Sequence, residues 1–253
     1  MMEEPKIEVN LIDCTGYHCM KRSFAERKLV YTKSTRLEQG KETRQKIMEM
    51  TDEELKEELK YMANTIPSSW EFVNYTFEIR NVTRAFTHQF VRTRTGSYAQ
   101  QTMRMLDKKE FTYRVPPKLR ENEAALEIYH AEMSRIQESY DEMIEYGAAV
   151  EDARGVLPTN IHTNIIAQFN LRTVAEMARS RTGTRTQDEY REVLDMMLDS
   201  VLEVHPWAAP FLFPEKMAHI KKLESFIMEA AKEDNERMYD LLKSLDKWRK
   251  GEL

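Results

Sequence analysis

Cysteine, glycine and proline are all scarce in this chain of 253 residues. Cys14 and Cys19 are too few and too close to the start for a disulfide framework. With His18 beside Cys19 they offer three possible ligands and no matching second pair, so no metal site is expected. Seven glycines and eight prolines leave no Pro/Gly/Ser-rich linker, and no internal repeat or low-complexity tract is present. No apolar run approaches the roughly 20 residues of a membrane span, and no basic-then-apolar leader pattern opens the sequence. A soluble cytoplasmic protein without a membrane partner is the expectation. The formal net charge is −5, so no bulk attraction to nucleic acid is expected and any anion site must be local. Also missing are the Gly-x-x-x-x-Gly-Lys phosphate loop, the Gly-x-Gly-x-x-Gly turn, the His-Glu-x-x-His helix and the Gly-x-Ser-x-Gly elbow, which removes weight from several large enzyme classes.

What is present is enough chain for a sizeable core, since a domain of this length buries roughly three quarters of its unfolded surface. Residues 6–12 alternate polar and apolar as an opening strand, closed by the turn-prone Asp13-Cys14-Thr15-Gly16. Thr51 and Glu54 form a capping box for a helix running to about Asn64, broken by Pro67-Ser68-Ser69. From Glu71 to Arg80, Val73, Tyr75, Phe77 and Ile79 share one face of a half-buried strand. The four-residue spacing of Val82, Phe86 and Phe90 predicts a helix over 82–94, with Arg84, His88 and Arg92 on another face. Leu126, Tyr129, Met133, Ile136, Tyr140 and Met143 form a seam for a long helix, as core or subunit interface. Ile161, Thr163, Ile165, Ala167 and Phe169 predict a second central strand, followed by a short helix with Leu171, Val174, Ala175 and Ala178 inward. This would bring Arg172, Arg179 and Arg181 close together. Residues 215–250 read as one or two amphipathic helices. The expected organisation is one α+β domain over 1–214, with a central antiparallel or mixed sheet flanked by long helices, and a helical C-terminal extension over 215–253.

The chemistry centres on the run from Thr87 to Arg104, cationic and rich in hydroxyls, directly after a strand-like segment. Arg92, Arg94, Arg104, Arg154, Arg172, Arg181 and Arg185 fall where strands and helices meet. A guanidinium there can donate two parallel hydrogen bonds to a phosphate or to a pyrimidine carbonyl. Thr95, Ser97 and Thr102 add neutral donors. A solvated, ion-paired face is the alternative for any single arginine; for the cluster, function is favoured. Neither His88 nor His162 is assigned a catalytic role, since a lone histidine on a helix or strand is more often structural.

The order Thr76-Phe77-x-Ile79-x-x-Val82-Thr83-Arg84-x-x-Thr87-His88-x-x-Val91-Arg92-x-Arg94-x-x-Ser97-Tyr98-x-Gln100-x-Thr102-x-Arg104 resembles the signature region of flavin-dependent thymidylate synthases. Ala153-Arg154-Gly155-Val156-Leu157-Pro158, then Asn170-x-Arg172 and Arg181, resembles that family's nucleotide-binding half. The resemblance implies a homotetramer holding FAD where subunits meet. It also implies methylation of dUMP at C5, with methylene-tetrahydrofolate and NADPH as co-substrates. Ser68, Arg92, Thr93, Arg94, Gln100 and Asn170 would face the flavin. Gln89, Gln100, Thr102, Arg104, Arg154 and Arg181 would hold the nucleotide, and Arg181 would stabilise charge on the pyrimidine.

Four departures stand out. The family's Arg-His-Arg core reads Arg92-Thr93-Arg94, its later serine is Thr102, a further histidine is Arg185, and Trp70-Glu71-Phe72 lacks the histidine of an aromatic-Glu-His segment. They suggest a divergent member of viral type, which would then work in a host cytoplasm. Three other readings stay open: a flavin- and folate-dependent pyrimidine nucleotide hydroxymethylase, a non-catalytic oligomeric relative, and a nucleic-acid-binding module. The acidic balance and the lack of stacked aromatics in the basic strip argue against the last.

Overall fold

The computed structural model describes residues 4–16, 23–34, 40–103, 111–181 and 186–214. The chain opens with β1 (Glu8–Cys14), then α1 (Phe24–Lys33), α2 (Lys41–Glu49) and α3 (Asp52–Thr65), and reaches β2 (Asn74–Thr83) through a 3-10 turn at Pro67–Phe72. Next come α4 (Arg84–Phe90), β3 (Ser97–Gln100), α5 (Pro117–Arg120), the long α6 (Glu123–Glu145) and α7 (Val150–Ala153). A 3-10 turn at Arg154–Val156 leads to β4 (His162–Asn170), α8 (Leu171–Arg181), α9 (Asp188–Val204) and α10 (Ala209–Leu212).

The four strands form one sheet in the order β1-β2-β4-β3, and every neighbouring pair is antiparallel. Of the two expected arrangements, antiparallel holds. Because alternate side chains leave a strand on opposite sides, Tyr75, Phe77 and Ile79 of β2 and Ile165, Ala167 and Phe169 of β4 are all buried on one face. The other face carries Asn10, Ile166 and Gln168 towards solvent. Helices α1, α3, α8 and α9 cover the apolar face and build the main core with it. A smaller cluster, Phe111, Met133 and Ile161, sits beneath α6.

Local chemistry explains most boundaries. Thr51 caps α3 with the expected reciprocal pair: its side chain accepts from Glu54 N, and the Glu54 carboxylate accepts from Thr51 N at 2.7 Å. The helix expected over 82–94 is shorter. Val82 belongs to β2 and helix begins at Arg84, capped by Thr83, whose Oγ1 accepts from Phe86 N at 2.9 Å. The cause is a bulge between Ile79 and Val82, with Asn81 in the left-handed region at φ 59°, which asparagine tolerates. The extra residue moves the buried face from odd to even positions, so Val82 stays inward and lines up with Phe86 and Phe90 although it is strand. In α6, Met133 and Tyr140 are buried, while Leu126, Tyr129, Ile136 and Met143 are half-buried. The helices expected over 215–250 lie outside the described residues, as do His18 and Cys19; Cys14 is a buried free thiol.

Candidate functional site

Parts of the two arginine-bearing blocks, which lie about fifty residues apart in sequence, meet at one edge of the sheet. Among the described residues β3 pairs only with β4, and Ser97 sits opposite Gln168 and Gln100 opposite Ile165, so the loop that precedes β3 is carried to the β4–α8 junction. Three contacts fix that loop. Gly96 lies against Phe169, where a Cβ would run into the ring and stand 2.8 Å from Tyr98 Oη. Thr173 Oγ1 donates to Thr95 Oγ1 at 2.9 Å. Tyr98 Oη donates to Thr93 O at 2.7 Å and to Phe90 O at 3.1 Å. Burial pushes the Tyr98 phenol up to about 12, keeping it a neutral donor.

On this frame Arg92 and Arg94 are exposed and no described residue engages either guanidinium, while Thr93 between them is half-buried. Asn170 ends β4 and its Oδ1 accepts from Thr173 N at 2.9 Å, a capping bond that orients the carboxamide at the start of α8. Ser68 is exposed on the 3-10 turn that packs against α8. Gln89 Nε2 donates to Gln187 Oε1 at 2.8 Å, and Gln100 Nε2 to Thr87 Oγ1 at 2.9 Å. Thr102 is exposed just beyond β3. Arg104 and Arg185 lie outside the described residues.

The three arginines of α8 serve different partners. Arg172 pairs with Glu71 at 2.8 Å and Glu176 at 3.1 Å, and Arg179 donates to Phe211 O at 3.3 Å and lies over the Trp70 ring. Those two are structural. Arg181, at the helix end, is half-buried with its guanidinium 5.4 Å from the centre of the Tyr190 ring. The Tyr190 phenol is pushed up by burial and held back by Thr93 and Arg181, so one buried ring touches the electrostatics of both blocks. The motif order does not mark Tyr190, which reaches the site from α9.

An open cleft of about 540 Å³ is lined by Arg84, His88, Met103, Glu151, Arg154 and Leu157 among others. Arg154 Nε donates to Glu151 O at 3.0 Å. His88 is exposed. His162 is buried; burial, with Arg114 adding to it, pulls its imidazole down to about 4, and Nδ1 meets Thr112 Oγ1 at 3.1 Å, as befits a structural residue. Glu189 is another residue the sequence did not mark. Buried on α9, it takes Thr83 N at 2.7 Å and Thr83 Oγ1 at 2.6 Å and so fixes the start of α4. Among the described residues no group of three or more His, Cys, Asp or Glu side chains could hold a metal ion, and no helix is long and apolar enough to cross a membrane.

The pattern described as "Thymidylate synthase complementing protein" matches residues 18–207, which include both arginine blocks and strands β2, β3 and β4. The chain belongs to this family. Among its relatives are three proteins named flavin-dependent thymidylate synthase. The protein from Clostridium tetani is 35% identical over 152 residues, covering 54% of this chain and 61% of the relative. The one from Nitratidesulfovibrio vulgaris is 36% identical over 144 residues, covering 54% and 59%. The one from Sulfurisphaera tokodaii is 32% identical over 183 residues, covering 70% and 68%. The matches to the first two thus span about three fifths of the length of those relatives. The α+β sheet architecture expected from the family resemblance is the one observed.

Proposed function

We propose that the protein is a flavin-dependent thymidylate synthase. It would bind FAD, methylate dUMP at C5, take the carbon from methylene-tetrahydrofolate and take reducing equivalents from NADPH. The balance is dUMP, methylene-tetrahydrofolate, NADPH and a proton going to dTMP, tetrahydrofolate and NADP⁺. The observation that carries this reading is the union of the two blocks: the Arg92–Arg94 loop is bonded through Thr95 to Thr173, one turn from Asn170 and on the helix that ends at Arg181.

The residues fit such a cofactor. Two exposed guanidiniums suit the paired phosphates of a dinucleotide, and the Ser68 hydroxyl and Asn170 carboxamide offer neutral hydrogen bonds beside them. When bound, the flavin supplies the hydride. The protein's own work is placement and charge stabilisation. As C5 of the pyrimidine turns nucleophilic, negative charge grows on the ring oxygens, and a fixed guanidinium at Arg181 stabilises it. Tyr190 keeps that guanidinium in place from below. No thiol is called on: Cys14, the described cysteine, is buried and its pKa is raised by burial.

Gln89, Gln100, Thr102, Arg104 and Arg154 complete the nucleotide's contacts in this reading, and four copies of the chain complete the flavin site. The test is direct. The purified protein should be yellow and release flavin on denaturation. Incubation with dUMP, methylene-tetrahydrofolate and NADPH should yield a product heavier by one methylene group. A hydroxymethylated product would move the assignment to a nucleotide hydroxymethylase; a colourless protein that cannot be reconstituted and forms neither product would sink the enzymatic reading.

A further inference from the structure

Gln89 of α4 and Gln187 at the start of α9 face each other, and a carboxamide has a direction: its oxygen accepts and its nitrogen donates. Which way each one points follows from a run of bonds that starts at groups with no choice. Thr83 N can only donate, and it donates to Glu189 Oε1 at 2.7 Å. Thr83 Oγ1 takes Phe86 N at 2.9 Å and gives its own proton to Glu189 Oε2 at 2.6 Å. A carboxylate offers no donor, so Gln187 turns Nε2 towards Oε2, at 3.4 Å; the reverse turn would set Gln187 Oε1 against the carboxylate. Gln187 Oε1 is then left for Gln89, which answers with Nε2 at 2.8 Å. Gln89 is thereby held in one sense, and among the described residues no bond engages its Oε1.

The Gln187 side chain has no other task in the fold. It stands at the N-cap of α9 and makes no cap bond, while its backbone oxygen takes Tyr190 N at 3.0 Å and Arg191 N at 3.2 Å. Gln89 does not line the Arg84–Arg154 cleft. It precedes Phe90, whose ring lies 5.9 Å from Tyr190, the same ring that has Arg181 at 5.4 Å. Gln89 therefore stands on the Arg181 side, where the pyrimidine is held in the function proposed above.

Uracil and cytosine offer the same two edge positions with opposite polarity. Uracil donates from N3 and accepts at O4; cytosine accepts at N3 and donates from N4. A carboxamide free to flip pairs with either base. One held in a single sense pairs with one base and leaves polar groups opposed on the other, which is what gives strong discrimination. We infer that Glu189 and Gln187 are positioning residues that fix the sense of the Gln89 carboxamide and so make the site select uracil over cytosine. That Gln89 meets the base, and that the base is uracil, rests on the function proposed above; the bonds from Thr83 to Gln89 do not.

Glu189→Gln exchanges one oxygen for an NH2 of nearly the same size. Thr83 N still requires an oxygen, so the new NH2 faces Gln187 and turns it, and Gln89 turns with it. The experiment titrates dUMP and dCMP calorimetrically into the full-length wild type, Glu189→Gln, Gln187→Met and Gln89→Met. Wild type should bind dUMP at least about tenfold more tightly than dCMP, the worth of sparing a polar group from going unpaired. Glu189→Gln should cut that ratio by about tenfold or more. Gln187→Met, which releases Gln89 without reversing it, should cut it by less, and adding Gln187→Met to Gln89→Met should change it no further. A merely structural role would weaken both nucleotides alike and leave the ratio where it was. Wild-type ratios in Glu189→Gln and Gln187→Met overturn the inference, as does a ratio near one in wild type. If Glu189→Gln does not fold, Gln187→Met decides alone: a lowered ratio supports the role and a wild-type ratio overturns it. A wild type that prefers dCMP, with a preference that Glu189→Gln weakens, would uphold the positioning role and defeat the uracil reading. Binding of neither nucleotide to wild type would defeat both.

Discussion

Helix α4 has two faces, and they are built on opposite rules. One presents Phe86 and Phe90 to an aromatic cluster: the Phe90 ring lies 4.9 Å from Phe86, 5.4 Å from Phe169, 5.7 Å from Tyr98 and 5.9 Å from Tyr190, centre to centre. The other presents Arg84 and His88 to the open cleft, with few protein partners. Edge-to-face aromatic packing tolerates little displacement, so the first face fixes position. The second face keeps its hydrogen-bonding capacity for something outside the chain. Seven residues of helix thus carry both the rigidity and the unsatisfied charge of the site, and a cation can stay unpaired on one side because the other side holds it still.

The largest expected effect comes from breaking the rigid face. Phe90→Ala should lower unfolding free energy by about 4 kcal/mol, as for other large-to-small changes in a packed core, read as a fall in the midpoint of denaturant unfolding. A loss below about 1 kcal/mol would mean that the aromatic cluster does not hold α4. On the charged side, Arg181→Ala should leave that midpoint nearly unchanged and slow turnover by a factor of about 10² to 10³, equivalent to roughly 3 to 4 kcal/mol of transition-state stabilisation. Turnover close to wild type would remove Arg181 from its role.

A third effect separates the core from the site by pH. His205 is buried, its Nδ1 lies 3.1 Å from Tyr75 Oη, and burial pulls its pKa down to about 4. Folded His205 therefore resists protonation while unfolded His205 accepts a proton near pH 6.5. Its contribution is complete above about pH 6.5 and is lost as pH falls towards 4, up to about 3 kcal/mol. Melting temperature should drop across that window, and His205→Gln should flatten part of the drop; His162, with the same low pKa, would leave the remainder. An unchanged slope in His205→Gln would show that His205 binds its proton equally well in the folded and unfolded chain.

How much of this was legible in the sequence depended on the range of the interactions. β2, β4 and α8 could be read because two-residue and helical periods are local, and α3 because Thr51 and Glu54 cap it within one turn. α9 carries an equally plain signal, with Tyr190, Val193, Leu194, Met197, Leu198 and Val201 repeating at alternating steps of three and one. The bulge at Asn81 was hidden, since nothing local distinguishes a strand that gains one residue from a helix that starts early. In the site, motif order marked Arg92, Arg94, Asn170 and Arg181, but not the partners that set them. Glu189 reaches Thr83 across 106 positions and Tyr190 reaches Arg181 only because α9 folds back. Which arginines would find a carboxylate was likewise a matter of tertiary neighbours: Arg172 and Arg84 look alike in sequence and differ entirely in the fold.

The smallest change, Tyr98→Phe, tests how tightly the two faces are coupled. The ring would stay in the aromatic cluster, 5.6 Å from Phe169, so packing should survive. Only the bonds to Thr93 O and Phe90 O would go, and stability should fall by about 1 kcal/mol. Those carbonyls belong to the turn that aims Arg92 and Arg94, so freeing them should cost flavin affinity more than stability. The expected result is a rise of more than about tenfold in the flavin dissociation constant, measured by fluorescence quenching on reconstitution, in a protein whose unfolding free energy has fallen by only about 1 kcal/mol. Equal flavin affinity in Tyr98→Phe and wild type would mean that Gly96 against Phe169 and Thr95 against Thr173 hold the loop without help. The rigid face would then end at Phe90 and the cation-bearing loop would stand on its own contacts.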